Sequence, residues 1–126
     1  MKYETLNLKT RDNVVYVILN RTERLNSFDM KLGEELYKVL KDIKYDTNIR
    51  AVVIKGTGKG FCGGDVKEMH LAKNKSQFLR DLTRIIHRCV IEIRTMEKPV
   101  IAAVNGAAFG AGLSLALACD IIISVK

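Results

Sequence analysis

Apolar positions along the first part of the chain change from a period of two to a period near 3.6. Residues 3–10 alternate in polarity, and Val14–Leu19 is a run rich in β-branched residues. Both patterns are typical of β-strands, and the polar segment Arg11–Asn13 between them is typical of a turn. We therefore expect the chain to begin with two strands joined by a short connection.

An amphipathic helix is predicted over Phe28–Tyr45. Leucine, valine and isoleucine recur there at steps of three and four residues, which places them on one helical face. Ser27 is the expected N-terminal cap of this helix, and Asp29 in the first turn would complement the helix dipole.

The remainder of the chain continues to alternate between strands and helices. The predicted strands are Ala51–Ile54, Val100–Val104 and Asp120–Val125, and the predicted helices are residues 75–96 and Ala111–Ala118. An order of β-β-α-β-α-β-α-β indicates a layered α/β fold with helices packed against sheets. The apolar last strand is expected either at the edge of a small sheet or at the end of the front part of a larger domain.

The composition is that of a globular protein of a single domain. The 126 residues are 48% hydrophobic and 28% charged, with one proline and no tryptophan. The amino terminus does not look like a signal peptide, and no apolar run is long enough to span a bilayer, so a cytoplasmic location without a membrane partner is expected. The three cysteines show neither disulfide nor metal-ligand spacing, so we predict reduced thiols and no metal site.

The charge of the chain is strongly positive. It carries 21 basic and 14 acidic residues, a net charge of +7. Such an excess suits a nucleic acid, a membrane surface or a phosphorylated cofactor, but it is equally typical of a solvated surface. Charge alone does not decide between these interpretations.

A glycine-rich segment, Gly56–Asp65, follows the third predicted strand. It lacks the Lys-Ser or Lys-Thr pair of a Walker phosphate loop. Gly58, Gly60 and Gly63 match the spacing of a dinucleotide fingerprint, although the segment follows the wrong strand for one, and a flexible turn without chemistry is also compatible. The remaining interpretation is a loop that presents backbone N–H groups to a ligand, strengthened by a helix beginning at Asp65.

A second turn of small residues, Gly106–Gly112, repeats the arrangement of strand, glycine-rich turn and helix start. Two such loops, each offering one N–H group, can bracket a single oxyanion. That geometry stabilises an enolate formed from a thioester.

Three ordered segments resemble the enoyl-CoA hydratase/isomerase (crotonase) family, and the resemblance extends along the whole chain. They are Leu19–Phe28, Gly58–Met69 and Lys98–Gly106, the last continuing through Gly110–Gly112 to Asp120. The resemblance implies a crotonase-like α/β fold, a spiral of β-β-α turns. Residues 1–126 would form the amino-terminal part of such a domain, which makes the fold truncated.

The resemblance also implies an acyl-CoA substrate and a set of site residues. The backbone N–H groups of Gly64 and Ala111 would be the oxyanion donors. Coenzyme A would enter as part of the substrate and would be bound by two segments, one comprising Arg24, Leu25 and Ser27 and the other comprising Asp65, Val66 and Lys67. Family members usually assemble as trimers or hexamers, so a homo-oligomer is expected if the complete fold forms, and no nucleic acid partner is expected.

The chain departs from the family pattern in three places. The first loop is one residue short before Gly64, Ser114 stands where hydratases have their first catalytic glutamate, and the second acid of the family falls beyond Lys126. Serine cannot replace a carboxylate as general base. Two hypotheses follow: an acyl-CoA hydratase or isomerase, or a truncated or split-gene product that lacks catalysis and needs a partner chain. A nucleotide-binding module is a third, more distant alternative.

Overall fold

The computed structural model describes residues 3–64 and 66–125, with the backbone alone described for residues 66–68. Seven strands and four helices alternate along this part of the chain, with one 3₁₀ turn at Thr22–Arg24. The strands are β1 (Leu6–Arg11), β2 (Val14–Leu19), β3 (Ala51–Gly56), β4 (Gly60–Cys62), β5 (Val100–Val104), β6 (Ala107–Ala108) and β7 (Ile121–Ser124); the helices are α1 (Met30–Tyr45), α2 (Val66–Leu71), α3 (Lys75–Thr95) and α4 (Ala111–Ala118). The predicted α/β class is confirmed.

Five of the strands form one sheet in the order β1-β2-β3-β5-β7. The hairpin of β1 and β2 is antiparallel, and every later neighbour pairs in parallel. Parallel strands require crossover connections, which α1, α3 and α4 supply. The last strand lies at one edge of this sheet. Because β3 and β5 are parallel neighbours, their carboxyl ends, which lead into the two glycine-rich turns, lie at the same end of the sheet.

A second, smaller sheet joins the two glycine-rich turns. Strand β4 pairs in parallel with β6, with Gly60 opposite Ala107 and Cys62 opposite Ala108. The sequence pattern did not predict either strand, because two or three residues are too few to show a period. The turns are therefore hydrogen-bonded to each other as well as anchored in the main sheet.

The core lies between the main sheet and the helices. Helices α1 and α3 pack against each other, with Gly33 close to Ile85. Each contributes the apolar face that its sequence predicts, and α1 buries Leu32, Leu36, Val39, Leu40 and Ile43. Fully burying one such side chain stabilises the fold by about 1.5–3 kcal/mol.

The amino terminus of α1 differs from the expectation. The cap is Asp29, whose Oδ1 accepts the Leu32 N–H at 2.8 Å, and the helix begins at Met30. The prediction that Ser27 is the cap was wrong. The Ser27 hydroxyl instead donates to the Arg24 carbonyl at 2.7 Å, and Phe28 forms a β-bridge with Gly64 before the helix starts.

Candidate functional site

Three segments of the chain meet at one end of the sheet: the loop after β2 (residues 20–29), the first glycine-rich loop (residues 56–64) and the turn between β5 and α4 (residues 105–111). The Phe28 N–H donates to the Gly63 carbonyl at 2.5 Å, and the Phe109 N–H donates to the Cys62 carbonyl at 3.3 Å. Cys62 and Gly63, the two residues before Gly64, are thus bonded to the two neighbouring segments. This convergence places the two predicted donors at one site.

Gly64 and Ala111 lie on adjoining turns. A Cβ added at Gly110, the residue before Ala111, would lie 3.8 Å from the Gly64 nitrogen. Gly110 is also the N-terminal cap position of α4, with φ 56° and ψ −127°. A positive φ of this kind suits glycine, and here it turns the chain so that α4 begins beside the first loop.

The two predicted donor N–H groups take no part in the hydrogen bonds of the described residues. In the part of the chain that the structure describes, neither the Gly64 N–H nor the Ala111 N–H has a hydrogen-bond acceptor. Ala111 is the first residue of α4, so its N–H belongs to the positive end of the helix dipole. No described atom lies within 4 Å of a Cβ added at Gly64. Two backbone N–H groups therefore lie on adjoining turns, and no described atom fills the space beside Gly64.

The loop predicted to bind coenzyme A packs directly against the first glycine-rich loop. A Cβ at Gly60 would approach the Leu25 carbonyl oxygen to 3.0 Å. Leu25 is 46% exposed and has φ 52°, whereas Ser27 is buried and its hydroxyl is bonded to the Arg24 carbonyl. The structure thus brings Leu25 against the donor loop, with its side chain reaching solvent, while Arg24 and Ser27 are bonded to each other in the same segment.

The second predicted coenzyme A segment is only partly described. Val66 and Lys67 form the first turn of α2, and their side chains lie outside the described atoms. Asp65 lies outside the described residues altogether. Their predicted contacts with coenzyme A stay predictions.

A buried ion pair holds the loop after β2 in place. The Arg21 Nη2 atom lies 3.2 Å from the Asp29 Oδ2 atom, and the two side chains are 14% and 11% exposed. Arg21 also donates through Nη1 to the Ser27 carbonyl, and Asp29 caps α1. This pair carried no sequence signal, because residues eight apart in a loop have no fixed spatial relation.

The three cysteine thiols are buried and unreactive. Burial raises the pKa of the Cys62, Cys89 and Cys119 thiols to about 12. The Cys62 thiol donates to the Gly63 carbonyl at 3.7 Å. His70 is exposed on α2. Because the thiolate is the nucleophile, a thiol with this pKa is protonated at neutral pH and Cys62 is not equipped for nucleophilic catalysis.

Ser114 is exposed on α4, and its N–H donates to the Gly110 carbonyl at 3.1 Å. The Ser114 side chain therefore does not pack in the core. His87 is exposed on α3. Among the described residues, no group of three or more His, Cys, Asp and Glu side chains is arranged to hold a metal ion, and none of the described helices has the length and apolar character needed to cross a bilayer.

Comparisons with known proteins agree with this architecture. The sequence profile of the Enoyl-CoA hydratase/isomerase family matches residues 9–126. A probable enoyl-CoA hydratase of Mycobacterium leprae is 37% identical over 120 residues, covering 90% of this chain and 41% of that protein. The 1,2-epoxyphenylacetyl-CoA isomerase of Escherichia coli is 37% identical over 116 residues, covering 90% and 44%.

The solved structures extend the likeness to three dimensions. The crystal structure of an enoyl-CoA hydratase from Bacillus anthracis superposes with a TM-score of 0.91 at 36% identity, covering 96% of this chain and 47% of that one. The predicted crotonase-like fold is thereby confirmed. The chain spans less than half the length of these relatives.

Proposed function

Because the chain belongs to the enoyl-CoA hydratase/isomerase family, we propose that it binds an acyl-CoA and stabilises the enolate oxygen of the thioester with the N–H groups of Gly64 and Ala111. The observation that carries the proposal is that two backbone N–H groups on adjoining turns have no acceptor among the described residues, with no described atom close to a Cβ added at Gly64. Donors aimed at the position where negative charge develops stabilise the transition state, and one such donor is worth about a hundred- to a thousandfold in rate.

Coenzyme A would lie along the two loops that flank the donors. Leu25 borders the first glycine-rich loop and Arg24 precedes Leu25 in the chain, while Lys67 lies in the first turn of the helix that follows the loop. The net charge of +7 favours a ligand that carries phosphate groups. We place the acyl chain next to Gly64. The proposal also includes a cytoplasmic location, and assembly into trimers or hexamers would be a property of the complete fold.

Calorimetric titration tests the proposal. We expect acetyl-CoA and crotonyl-CoA each to bind the purified chain at a single site. Free coenzyme A should bind more weakly, since it lacks the thioester oxygen. A sample shown to be folded by circular dichroism that takes up neither thioester would contradict the proposal.

A second candidate function is that of a non-catalytic chain that works only together with a partner chain. The observation that favours it is the exposure of β7, where Ile121, Ile122 and Ile123 are 46–61% exposed. Parallel strands with apolar residues on both faces are normally covered on both sides. Ser114 adds to this, because serine supplies no carboxylate at that position.

The rate of crotonyl-CoA hydration distinguishes the two candidates. If the chain needs a partner, the purified protein alone should show no hydration above the rate in buffer, even where it binds the thioester. Hydration by the chain alone at ordinary enzyme rates, about 1–1,000 s⁻¹, would overturn this second candidate.

A further inference from the structure

Two asparagine side chains hold the same carbonyl oxygen of the first glycine-rich loop. Asn26 Nδ2 donates to the Gly60 carbonyl at 2.8 Å, and Asn105 Nδ2 donates to it at 3.2 Å. Asn26 belongs to the loop after β2 and Asn105 follows β5, so the carbonyl is bonded from two sides by distant parts of the chain. Neither asparagine belongs to the set of residues that the family resemblance assigns to the site.

Asn26 is fully buried, and both ends of its amide are used. Its Nδ2 also donates to the Thr57 carbonyl at 2.9 Å, and its Oδ1 accepts the Arg21 N–H at 2.6 Å. The residue has φ 56°, a backbone conformation that asparagine tolerates better than most residues. A buried polar group with every hydrogen bond satisfied gives a rigid and specific local structure.

Asn105 makes the matching contacts on the other side. Its Nδ2 donates to the Gly58 carbonyl at 3.0 Å in addition to Gly60, and its Oδ1 accepts the Gly56 N–H at 3.0 Å. The two asparagines thus bond four residues of the loop, Gly56 to Gly60, where three of the five residues are glycines that have no side chain to pack.

We infer that Asn26 and Asn105 are positioning residues that fix the first glycine-rich loop at Gly60 and so set the direction of the Gly64 N–H. This inference rests on the proposed function. Gly60 opens β4, which leads in four residues to Gly64 and pairs with β6, the strand that leads to Ala111. Holding Gly60 in place therefore orients the chain segments that lead to both donors. A donor misplaced by about 1 Å costs about a hundredfold in rate.

The chemistry requires an amide at both positions. Each side chain donates from nitrogen to carbonyl oxygens and accepts at oxygen from an N–H group. Aspartate has the same shape but presents oxygen to those carbonyl oxygens, which turns attraction into repulsion. Asn→Asp is consequently the sharpest substitution for testing the role.

Amide hydrogen exchange tests the positioning without any ligand. In N105D, the hydrogen-bonded amides of Gly56 and Thr57 and those of strand β4 should exchange at least about tenfold faster, while those of the β1–β2 hairpin keep their rates. N7D is the matched control, because Asn7 is exposed on β1, and it should leave the loop unchanged. N26D replaces the buried amide with a carboxylate. If N26D does not fold, N105D and N105S together provide the test. Unchanged exchange in the loop of the folded variants would overturn the inference.

A pair of ligands tests the consequence for binding. One is crotonyl-CoA, and the other is its thioether analogue, which lacks the carbonyl oxygen. In N105D the preference for the thioester should fall about tenfold while the affinity for the thioether stays at the wild-type value, a split that general loosening of the fold would not produce. A variant that keeps the full preference for the thioester contradicts the inference. A wild-type protein with no such preference contradicts the proposed function instead, and the exchange result then decides the positioning role.

Discussion

Replacing Gly112 with alanine is expected to destabilise the fold by about 3 kcal/mol or more. A Cβ there would lie 2.1 Å from the carbonyl oxygen of Cys62 and 2.3 Å from its carbonyl carbon, which are backbone atoms of β4. Alanine favours a helix over glycine by about 1 kcal/mol, but overpacking against backbone costs about 1–3 kcal/mol and more where nothing can move aside. The clash decides the sign, because α4 and β4 would have to separate.

Gly64→Ala is the matched control for this prediction. It adds the same methyl group at a position where no described atom lies within 4 Å of the added Cβ. We expect its free energy of unfolding to stay within about 0.5 kcal/mol of the wild-type value. Urea denaturation followed by circular dichroism measures both variants. Equal stability of the two variants would show that the close approach of α4 to β4 is not a packing constraint.

Ala111→Pro is expected to remove one oxyanion donor while the fold is retained. Ala111 is the first residue of α4, a position at which proline is well tolerated and the N–H makes no bond within the helix. Gly110 before it is non-helical, as the residue preceding proline should be. Because hydrogen bonds to a charged group are worth about 1.5–3 kcal/mol, loss of one donor should weaken binding of an enolate mimic about a hundredfold.

Titration with a coenzyme A analogue that carries a nitronate in place of the enolate measures this effect. Ala111→Ser, which keeps the N–H and is also accepted at the start of a helix, is the control and should bind within a fewfold of the wild-type protein. Melting temperatures of the three proteins establish that they are folded. If a folded Ala111→Pro variant binds the nitronate as tightly as Ala111→Ser does, Ala111 is not a donor.

The sequence predicts secondary structure best in segments that are long enough to show a repeating pattern of apolar residues. The apolar faces of α1 and α3 predicted both helices, and alternating or apolar runs predicted the strands of the main sheet, in each case to within a few residues. These elements are recognisable because burial of one face imposes a period on the residues. Shorter elements such as β4 and β6 carry too few residues to show one.

Contacts between side chains and backbone were much harder to predict. Asp29 and Ser27 are both good cap residues, and only the bridge of Phe28 to Gly64 moves the start of α1 past Ser27. The hydrogen bonds of Asn26 and Asn105 to the Gly60 carbonyl join residues that are 34 and 45 positions apart in the sequence, respectively. No local pattern encodes such a meeting, because it arises only once the sheet has brought the strand ends together.

The predicted donors Gly64 and Ala111 came from resemblance and loop chemistry, and the structure places them on adjoining turns. Their role is tested most directly by the amide resonances of these two residues in ¹H–¹⁵N correlation spectra, recorded with crotonyl-CoA and with its thioether analogue. An oxyanion site predicts that both amide protons shift downfield with the thioester, because they donate to its oxygen, and shift much less with the thioether. Binding of the thioester that leaves both resonances where the thioether leaves them would contradict the proposal.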